Sequence, residues 1–222
     1  MKFLTFDTSL DKTYITLCEN DKSLVSKEIN STEEKYHSVY LIPTLVEILK
    51  EHNLKMQDIE AIGTNIGPGS FTGIRVCTTI ARVMAQQLDI KLVGVSSLQI
   101  LSKINKTNKN SAIITDARKN KAYFASYDAE GREIISPKLI DLNDIKDYFN
   151  NSVFVISDTS MHNYLKQFDI NSTNYEFSDY PLGEFLAYFV YKNIIDNKGD
   201  FHWAKLKPLY IQPPSISIPK VK

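Results

Sequence analysis

A glycine-rich run, GPGSFTGIR at Gly67–Arg75, carries the strongest chemical signal in the chain, because it follows an apolar strand-like segment and opens a helix-like one. Backbone N–H groups at a helix N-terminus, together with the helix dipole, bind anions. The run is neither a Walker A loop nor a GxGxxG motif, since its third glycine is Gly73. Two interpretations stay open: an anion site that uses Gly69 and Ser70, or a tight structural turn that needs Gly67, Gly69 and Gly73.

Asp7 and Asp116 each end a predicted strand that opens one half of the chain. In two-lobed phosphotransferases, carboxylates at such positions face each other across a cleft and hold a metal–nucleotide. Ser9 and Arg118 follow them and would complete an anion or nucleotide site. However, both strand ends lack the glycines whose amides wrap phosphates. A stand-alone ATPase or phosphotransferase is therefore the alternative function, and the sequence argues against a complete site of that kind.

The sequence lacks the residue patterns of metal binding, serine hydrolysis and thiol chemistry. The four histidines, His37, His52, His162 and His202, have no metal-ligand spacing, so no metal site is predicted. No G-x-S-x-G frame surrounds Ser70, which excludes a serine hydrolase of that type. Cys18 and Cys77 lie in apolar stretches and are interpreted as buried thiols.

Apolar periodicity and turn signals predict an α/β chain of two similar halves. Polar Lys103–Asn110 is the predicted boundary, which gives an N-terminal lobe of residues 1–103 and a C-terminal lobe of residues 104–222 with an irregular tail from Pro208. Each half begins with a strand that ends in Asp, so a duplicated β-β-β-α unit is expected. The predicted strands are Lys2–Ser9, Thr13–Glu19, Ser23–Ile29, Ile59–Ile66, Leu92–Val95, Ser111–Asp116, Ala122–Asp128, Glu133–Ile140 and Val153–Ser157. Ser96 or Ser97 is predicted to cap a helix after Leu92–Val95, and a further helix is predicted at Leu182–Ile195.

Two of the predicted helices carry more apolar surface than one sheet needs. The first runs from just past residue 30, with Ser31 or Thr32 as N-cap, into the low fifties, and its apolar arc spans roughly 180°. The second is Phe71–Leu88, with an arc of roughly 200°. Burial within the same chain and docking of a second protein remain equally open. The predicted partner-binding residues are Val39, Tyr40, Ile42, Val46, Arg75, Thr79, Ile80, Arg82, Val83 and Met84.

Net charge and the absence of targeting signals limit the partners and the location expected for the chain. The 26 basic and 26 acidic residues cancel, so no global field attracts nucleic acid, and a partner would have to supply basic surface if RNA is involved. No signal peptide is evident, and no apolar run approaches the ~18 residues of a membrane span. A cytoplasmic protein without membrane contact is expected.

Four motifs in order resemble one known family. They are Asp7-Thr8-Ser9, the GPGSFTGIR run, Asp116-Ala117-Arg118-Lys119 and Pro208-Leu209-Tyr210. Together they are similar to the bacterial TsaB (YeaZ) family of the tRNA threonylcarbamoyladenosine pathway. The segment from His37 to Pro43 also resembles the first helix of that family, with its internal proline. The resemblance covers nearly the whole chain.

This resemblance implies an actin/Hsp70-like (ASKHA) two-lobed fold in which each lobe is a mixed sheet with packed helices. It implies a non-catalytic scaffold or activator that forms homodimers when alone and heterodimers with the catalytic subunit TsaD through its N-terminal helices. With the ATPase TsaE, the complex transfers a threonylcarbamoyl group to adenosine 37 of tRNA, which the chain would reach only through the complex. No cofactor is expected on the chain alone, and ATP is expected only at an interface of the complex.

Overall fold

The computed structural model describes residues 1–10, 12–30, 38–149 and 153–212, and it contains two five-stranded mixed sheets. The order in the first sheet is β3-β2-β1-β4-β5, and in the second it is β10-β9-β6-β7-β8. The strands are β1 (Lys2–Asp7), β2 (Lys12–Glu19), β3 (Lys22–Asn30), β4 (Ala61–Gly67), β5 (Lys91–Ser96), β6 (Ser111–Arg118), β7 (Lys121–Tyr127), β8 (Glu133–Asp141), β9 (Phe154–Ser157) and β10 (Thr173–Asn174).

Five α-helices connect and cover these sheets within the described residues. They are α1 (Ser38–Glu51), α2 (Phe71–Leu88), α3 (Ser97–Ser102), α4 (Thr159–Leu165) and α5 (Leu182–Ile195). Short 3-10 segments include Leu142–Tyr148 and Trp203–Lys205. No helix among the described residues is both long enough and apolar enough to cross a membrane.

The two sheets repeat the same topology, which confirms the predicted duplication. Strand β1 pairs antiparallel with β2 and parallel with β4, and β6 pairs antiparallel with β7 and parallel with β9. Each sheet thus begins with a three-stranded antiparallel meander and adds two parallel strands through helical crossovers. The two-lobed α/β fold expected from the sequence is confirmed.

Helices cover both faces of the first sheet, which explains why β1 is buried along most of its length. On one face, the sheet packs against α1 and α2 through a core that includes Leu4, Phe6, Leu45, Ile48 and Cys77. On the other face, α5 packs on the sheet, and this second core continues through α3 into the second sheet. The shared core joins the two lobes.

Helix α5 packs on the first sheet, although it lies in the segment assigned to the C-terminal lobe. The sequence assigned residues 104–222 to the C-terminal lobe, but α5 contacts β1, β2, β3, β4 and β5 of the first sheet. The segment after α5 returns to the same lobe, since the Leu92 N–H donates to the Phe201 carbonyl (2.9 Å) and the Leu209 N–H to the Ile66 carbonyl (2.7 Å). When a helix packs on a sheet that is distant in the sequence, the local sequence of the helix does not indicate which sheet it will cover. The boundary near residue 103 stays a prediction.

Some expected features lie outside the described residues. These are the N-cap at Ser31 or Thr32, His37, and the prolines of the tail, Pro213, Pro214 and Pro219. The described part of the tail, from Pro208 to Gln212, contains neither helix nor strand.

Candidate functional site

A cleft of about 790 Å³ lies between the two lobes and brings the sequence motifs together. Its first-lobe wall is formed by Ser9 and the turn before α2, and its second-lobe wall by the end of β6. The described part of the C-terminal segment, through Leu209 and Tyr210, closes one side. Residues from all four motifs of the resemblance line this one cavity, although they are far apart in the sequence.

Close backbone packing holds the glycine-rich turn against the end of β1. Gly67 has φ of +101°, a conformation that favours glycine. A Cβ on Gly73 would lie 1.9 Å from the Thr8 carbonyl oxygen, and one on Gly69 would lie 2.8 Å from that of Ser9. The Ser70 N–H donates to the Ser9 carbonyl (2.9 Å), and Ser70 Oγ accepts from the Gly73 N–H (3.3 Å) as the N-cap of α2. These contacts support the structural interpretation of the turn.

Asp7 lies behind the cleft wall rather than in the cleft, unlike the predicted metal–nucleotide ligand. The residue is buried, and its carboxylate accepts hydrogen bonds from the Ser9 N–H (2.7 Å), from Ser9 Oγ (2.7 Å) and from Asn65 Nδ2 (2.8 Å). Asn65 in turn accepts from the Gly67 N–H (2.7 Å). Asp7 therefore fixes the strand end and, through Asn65, the glycine-rich turn. The sequence missed Asn65, whose only signal is its place near the end of β4.

The second-lobe wall is acidic. Asp116 and Arg118 both line the cleft, as does Asp158, the N-cap of α4, which the sequence analysis missed. Asp158 accepts from the Asp116 N–H (2.6 Å) and the Met161 N–H (2.8 Å). Burial raises the pKa of the Asp158 carboxyl, and nearby Glu176 and Asp116 add to the increase. The signal that could have found Asp158 is an Asp directly after a strand and before a Thr-Ser helix start.

This arrangement is poorly suited to wrapping phosphates. Phosphate loops use backbone N–H groups. Here, five N–H groups at the cleft or next to it donate hydrogen bonds within the chain: Ser9 to Asp7, Gly67 to Asn65, Ser70 to Ser9, Asp116 to Asp158 and Arg118 to Asp116. The carboxylates of Asp116 and Asp158 on the facing wall also disfavour a polyanion. An anion role for Asp7, Ser9, Gly69, Ser70, Asp116 and Arg118 stays a prediction.

Thiol and metal chemistry find no support in the described residues. Burial raises the pKa of the Cys18 thiol to about 12 and that of Cys77 to about 11, so both thiols stay protonated at neutral pH. Both cysteines are buried and free, as the sequence predicted. Among residues 1–10, 12–30, 38–149 and 153–212, no group of three or more His, Cys, Asp or Glu side chains could hold a metal ion.

The outer face of α1 and α2 is the second candidate site. Helix α1 buries Leu41, Leu45, Ile48 and Leu49 against the sheet but leaves Val39 59% and Val46 58% exposed. On α2, Val83 is 53% exposed, while Ile80, Arg82 and Met84 are half-buried. The exposed predicted residues are Val39, Tyr40, Ile42, Val46, Arg75, Thr79 and Val83. Lys27 fastens α1 to β3 through Glu47 (3.0 Å) and Glu51 (3.1 Å). We name the apolar surface formed by Val39, Tyr40, Ile42, Val46 and Val83 the helical face.

Two duplicated mixed-sheet lobes around a cleft define a two-lobed α/β protein. Residues 24–188 match the family model described as TsaD: tRNA N6-adenosine threonylcarbamoyltransferase. The tRNA threonylcarbamoyladenosine biosynthesis protein TsaB of Bacillus subtilis is 31% identical over 171 residues, which cover 73% of this chain and 73% of that protein. On these matches, the chain belongs to the TsaB (YeaZ) family.

Further comparisons agree with this assignment. The TsaB protein of Buchnera aphidicola subsp. Baizongia pistaciae is 32% identical over 148 residues, and the match spans 63% of this chain and 65% of that protein. A solved structure of YeaZ from Pseudomonas aeruginosa superimposes with a TM-score of 0.76 at 20% identity, and the match covers 94% of this chain and 99% of that one. The structural similarity supports the fold.

Proposed function

We propose that this chain is an accessory subunit in the synthesis of threonylcarbamoyladenosine at adenosine 37 of tRNA. It acts with a TsaD-like catalytic subunit and a TsaE-like ATPase, and it performs no transfer itself. Support comes from its family, whose curated members are named as tRNA threonylcarbamoyladenosine biosynthesis proteins. The match of residues 24–188 to a model described for the transferase supports a catalytic partner that is related to this chain.

The observation that carries this proposal is the helical face. Val39, Ile42, Val46 and Val83 expose branched apolar side chains on two adjacent helices that are already anchored to the sheet. A contiguous apolar surface on a folded protein marks a protein–protein contact. The proposed occupant is the catalytic subunit, and a second copy of this chain occupies the face when that subunit is absent.

The cleft supports an accessory rather than an enzymatic role. The backbone N–H groups at its strand ends donate hydrogen bonds within the chain, and the second-lobe wall carries carboxylates. We therefore expect no nucleotide to bind to the chain alone. ATP would bind only where the complex adds a second surface. With a formal net charge of zero, the chain contacts tRNA indirectly, through more basic surfaces of the cytoplasmic complex.

A charge placed on the helical face tests the docking role. We expect Val83→Glu, and independently Ile42→Asp, to weaken binding to the catalytic subunit at least a hundredfold, because the new carboxylate must be desolvated without a partner. The matched control is Ile134→Glu, since Ile134 is 51% exposed on β8 of the other lobe and should bind like the original chain. Titration calorimetry measures the affinities. Equal affinities for all three variants would show that the partner docks elsewhere.

A further inference from the structure

Exposed side chains on α2 form a ridge that leads from the helical face to the mouth of the cleft. Phe71, Arg75, Thr79 and Val83 are exposed and follow one another at four-residue intervals. Residues spaced in this way are neighbours on a helix surface. Val83 belongs to the helical face, and Phe71 lies in the cleft wall. The proposed docking surface therefore continues to the cleft without a break.

At the cleft, this ridge meets the C-terminal strap, which we define as Leu206–Gln212. Leu209 is fixed by its hydrogen bond to the Ile66 carbonyl (2.7 Å). Arg75 Nε donates to Tyr210 Oη (3.2 Å), and the Arg75 guanidinium lies 3.9 Å above the Phe71 ring. The Phe71 and Tyr210 rings are 5.4 Å apart. Phe71, Arg75 and Tyr210 thus form one aromatic–arginine cluster, in which two elements distant in sequence meet.

The cluster has the composition of a binding hot spot. In the chain alone, Phe71 is 43% exposed and Tyr210 is 45% exposed. Tyrosine and arginine dominate the energetics of protein interfaces, and phenylalanine is enriched there. Tyr210 uses only the Nε–H of Arg75 in this contact, and a guanidinium has four further N–H groups that can bind a carboxylate. A partner that offers an apolar side chain beside a carboxylate fits this surface.

We propose that the catalytic subunit covers this cluster as well as the helical face and thereby holds the C-terminal strap across the cleft. This inference rests on the proposed function. Leu209, Tyr210, Ile211 and Gln212 line the cleft, and Tyr123 Oη of the second lobe donates to Gln212 Oε1 (3.5 Å). A partner bound on the strap therefore fixes a wall that both lobes share. By linkage, partner binding and the shape of the cleft are coupled.

Affinity measurements on aromatic variants test the surface. We expect Tyr210→Ala and Phe71→Ala each to weaken binding of the catalytic subunit about tenfold or more, the loss typical of a hot-spot truncation. The matched controls are Tyr188→Ala and Phe177→Ala, because these rings are also exposed (38% and 70%) but belong to other elements, α5 and the short 3-10 segment Tyr175–Phe177. Both controls should bind like the original chain.

Amide hydrogen exchange tests the strap directly and needs no variant. We expect exchange in the peptide that covers residues 206–212 to slow at least fivefold when the catalytic subunit binds, because burial of the cluster stabilises the Leu209 hydrogen bond. Unchanged or faster exchange would overturn the inference, as would Tyr210→Ala and Phe71→Ala chains that bind like the original.

Failure of this inference can be separated from failure of the proposed function. If Val83→Glu abolishes binding while both cluster variants bind normally, the helical face is the docking site and only its extension to the strap is wrong. If Val83→Glu binds like the original chain, the proposed docking face itself is wrong, and the strap coupling that depends on it is overturned as well.

Discussion

At the scale of single residues, Gly73 of the glycine-rich motif is required because there is no room for a side chain, not because it takes part in chemistry. An alanine within a helix is normally more stable than a glycine by about 1 kcal/mol. Gly73 lies in the first turn of α2, yet a Cβ there would meet the backbone of Thr8 and Ser9 at distances from 1.9 to 2.8 Å. Backbone cannot give way as a flexible side-chain end can, so the usual preference is reversed at this position.

We therefore expect Gly73→Ala to lower the free energy of unfolding by about 2–3 kcal/mol, as overpacking does. Chemical denaturation measures the change. The control is Thr72→Ala, since Thr72 is the exposed neighbour in the same helical turn and its loss should change stability by less than about 0.5 kcal/mol. A Gly73→Ala chain as stable as the original would mean that the turn and β1 are not held in this close contact.

The hydrogen bonds of Asp7 are those of a structural carboxylate rather than of a ligand-binding one. Its carboxylate accepts hydrogen bonds from donors of the chain itself, among them the Ser9 N–H, Ser9 Oγ and Asn65 Nδ2. An asparagine would place an N–H₂ group against one of these donors and leave it without an acceptor.

For this reason, Asp7→Asn should lower the free energy of unfolding by about 2 kcal/mol, the cost of disrupting a buried hydrogen bond to a charged group. Thermal melting of the ligand-free protein measures it, with Asp116→Asn in the cleft as the control that changes little. Unchanged stability of Asp7→Asn would favour the original prediction, in which the carboxylate is reserved for a metal–nucleotide.

At the scale of elements, local signals predicted secondary structure well but not where each element docks. Helix α2 begins and ends where the sequence predicted, at Phe71 and Leu88, and Ser96 caps α3 as expected. The apolar run of α5 also predicted its bounds, Leu182–Ile195, but periodicity cannot say which sheet a helix covers. Similarly, the sequence placed Asp7 at a strand end, but only the structure shows its carboxylate turned towards Asn65 and away from the cleft.

The docking of α5 predicts that residues 1–103 do not fold alone. Without α5, the sheet face that carries Phe3, Tyr14, Val93 and Val95 loses its cover. We expect a fragment of residues 1–103 to lack a cooperative thermal transition by circular dichroism, because burial of apolar area is the main stabilising contribution.

The matched control restores the missing cover. Fusing residues 178–212 to residues 1–103 through a flexible linker should restore a cooperative transition. A fragment of residues 1–103 that melts cooperatively by itself would support the original boundary between two independent lobes.

At the scale of the whole molecule, two mixed-sheet lobes enclose a cleft. Backbone N–H groups at the strand ends beside this cleft donate hydrogen bonds within the chain. The apolar surface lies instead on α1 and α2, outside the cleft. The ridge on α2 joins these two regions. On the proposed function, the helical face is the surface that docks the catalytic subunit, and we expect that subunit to influence the shape of the cleft through the ridge.

The most direct test of this account is reconstituted modification of an adenosine-37 tRNA. Threonylcarbamoyladenosine formed per minute is measured with the TsaD-like and TsaE-like proteins supplied, with and without this chain, and with Val83→Glu or Ile134→Glu in its place. The account predicts that modification requires the chain, is lost with Val83→Glu and persists with Ile134→Glu. Full modification without the chain, or ATP turnover by the chain alone, would contradict it.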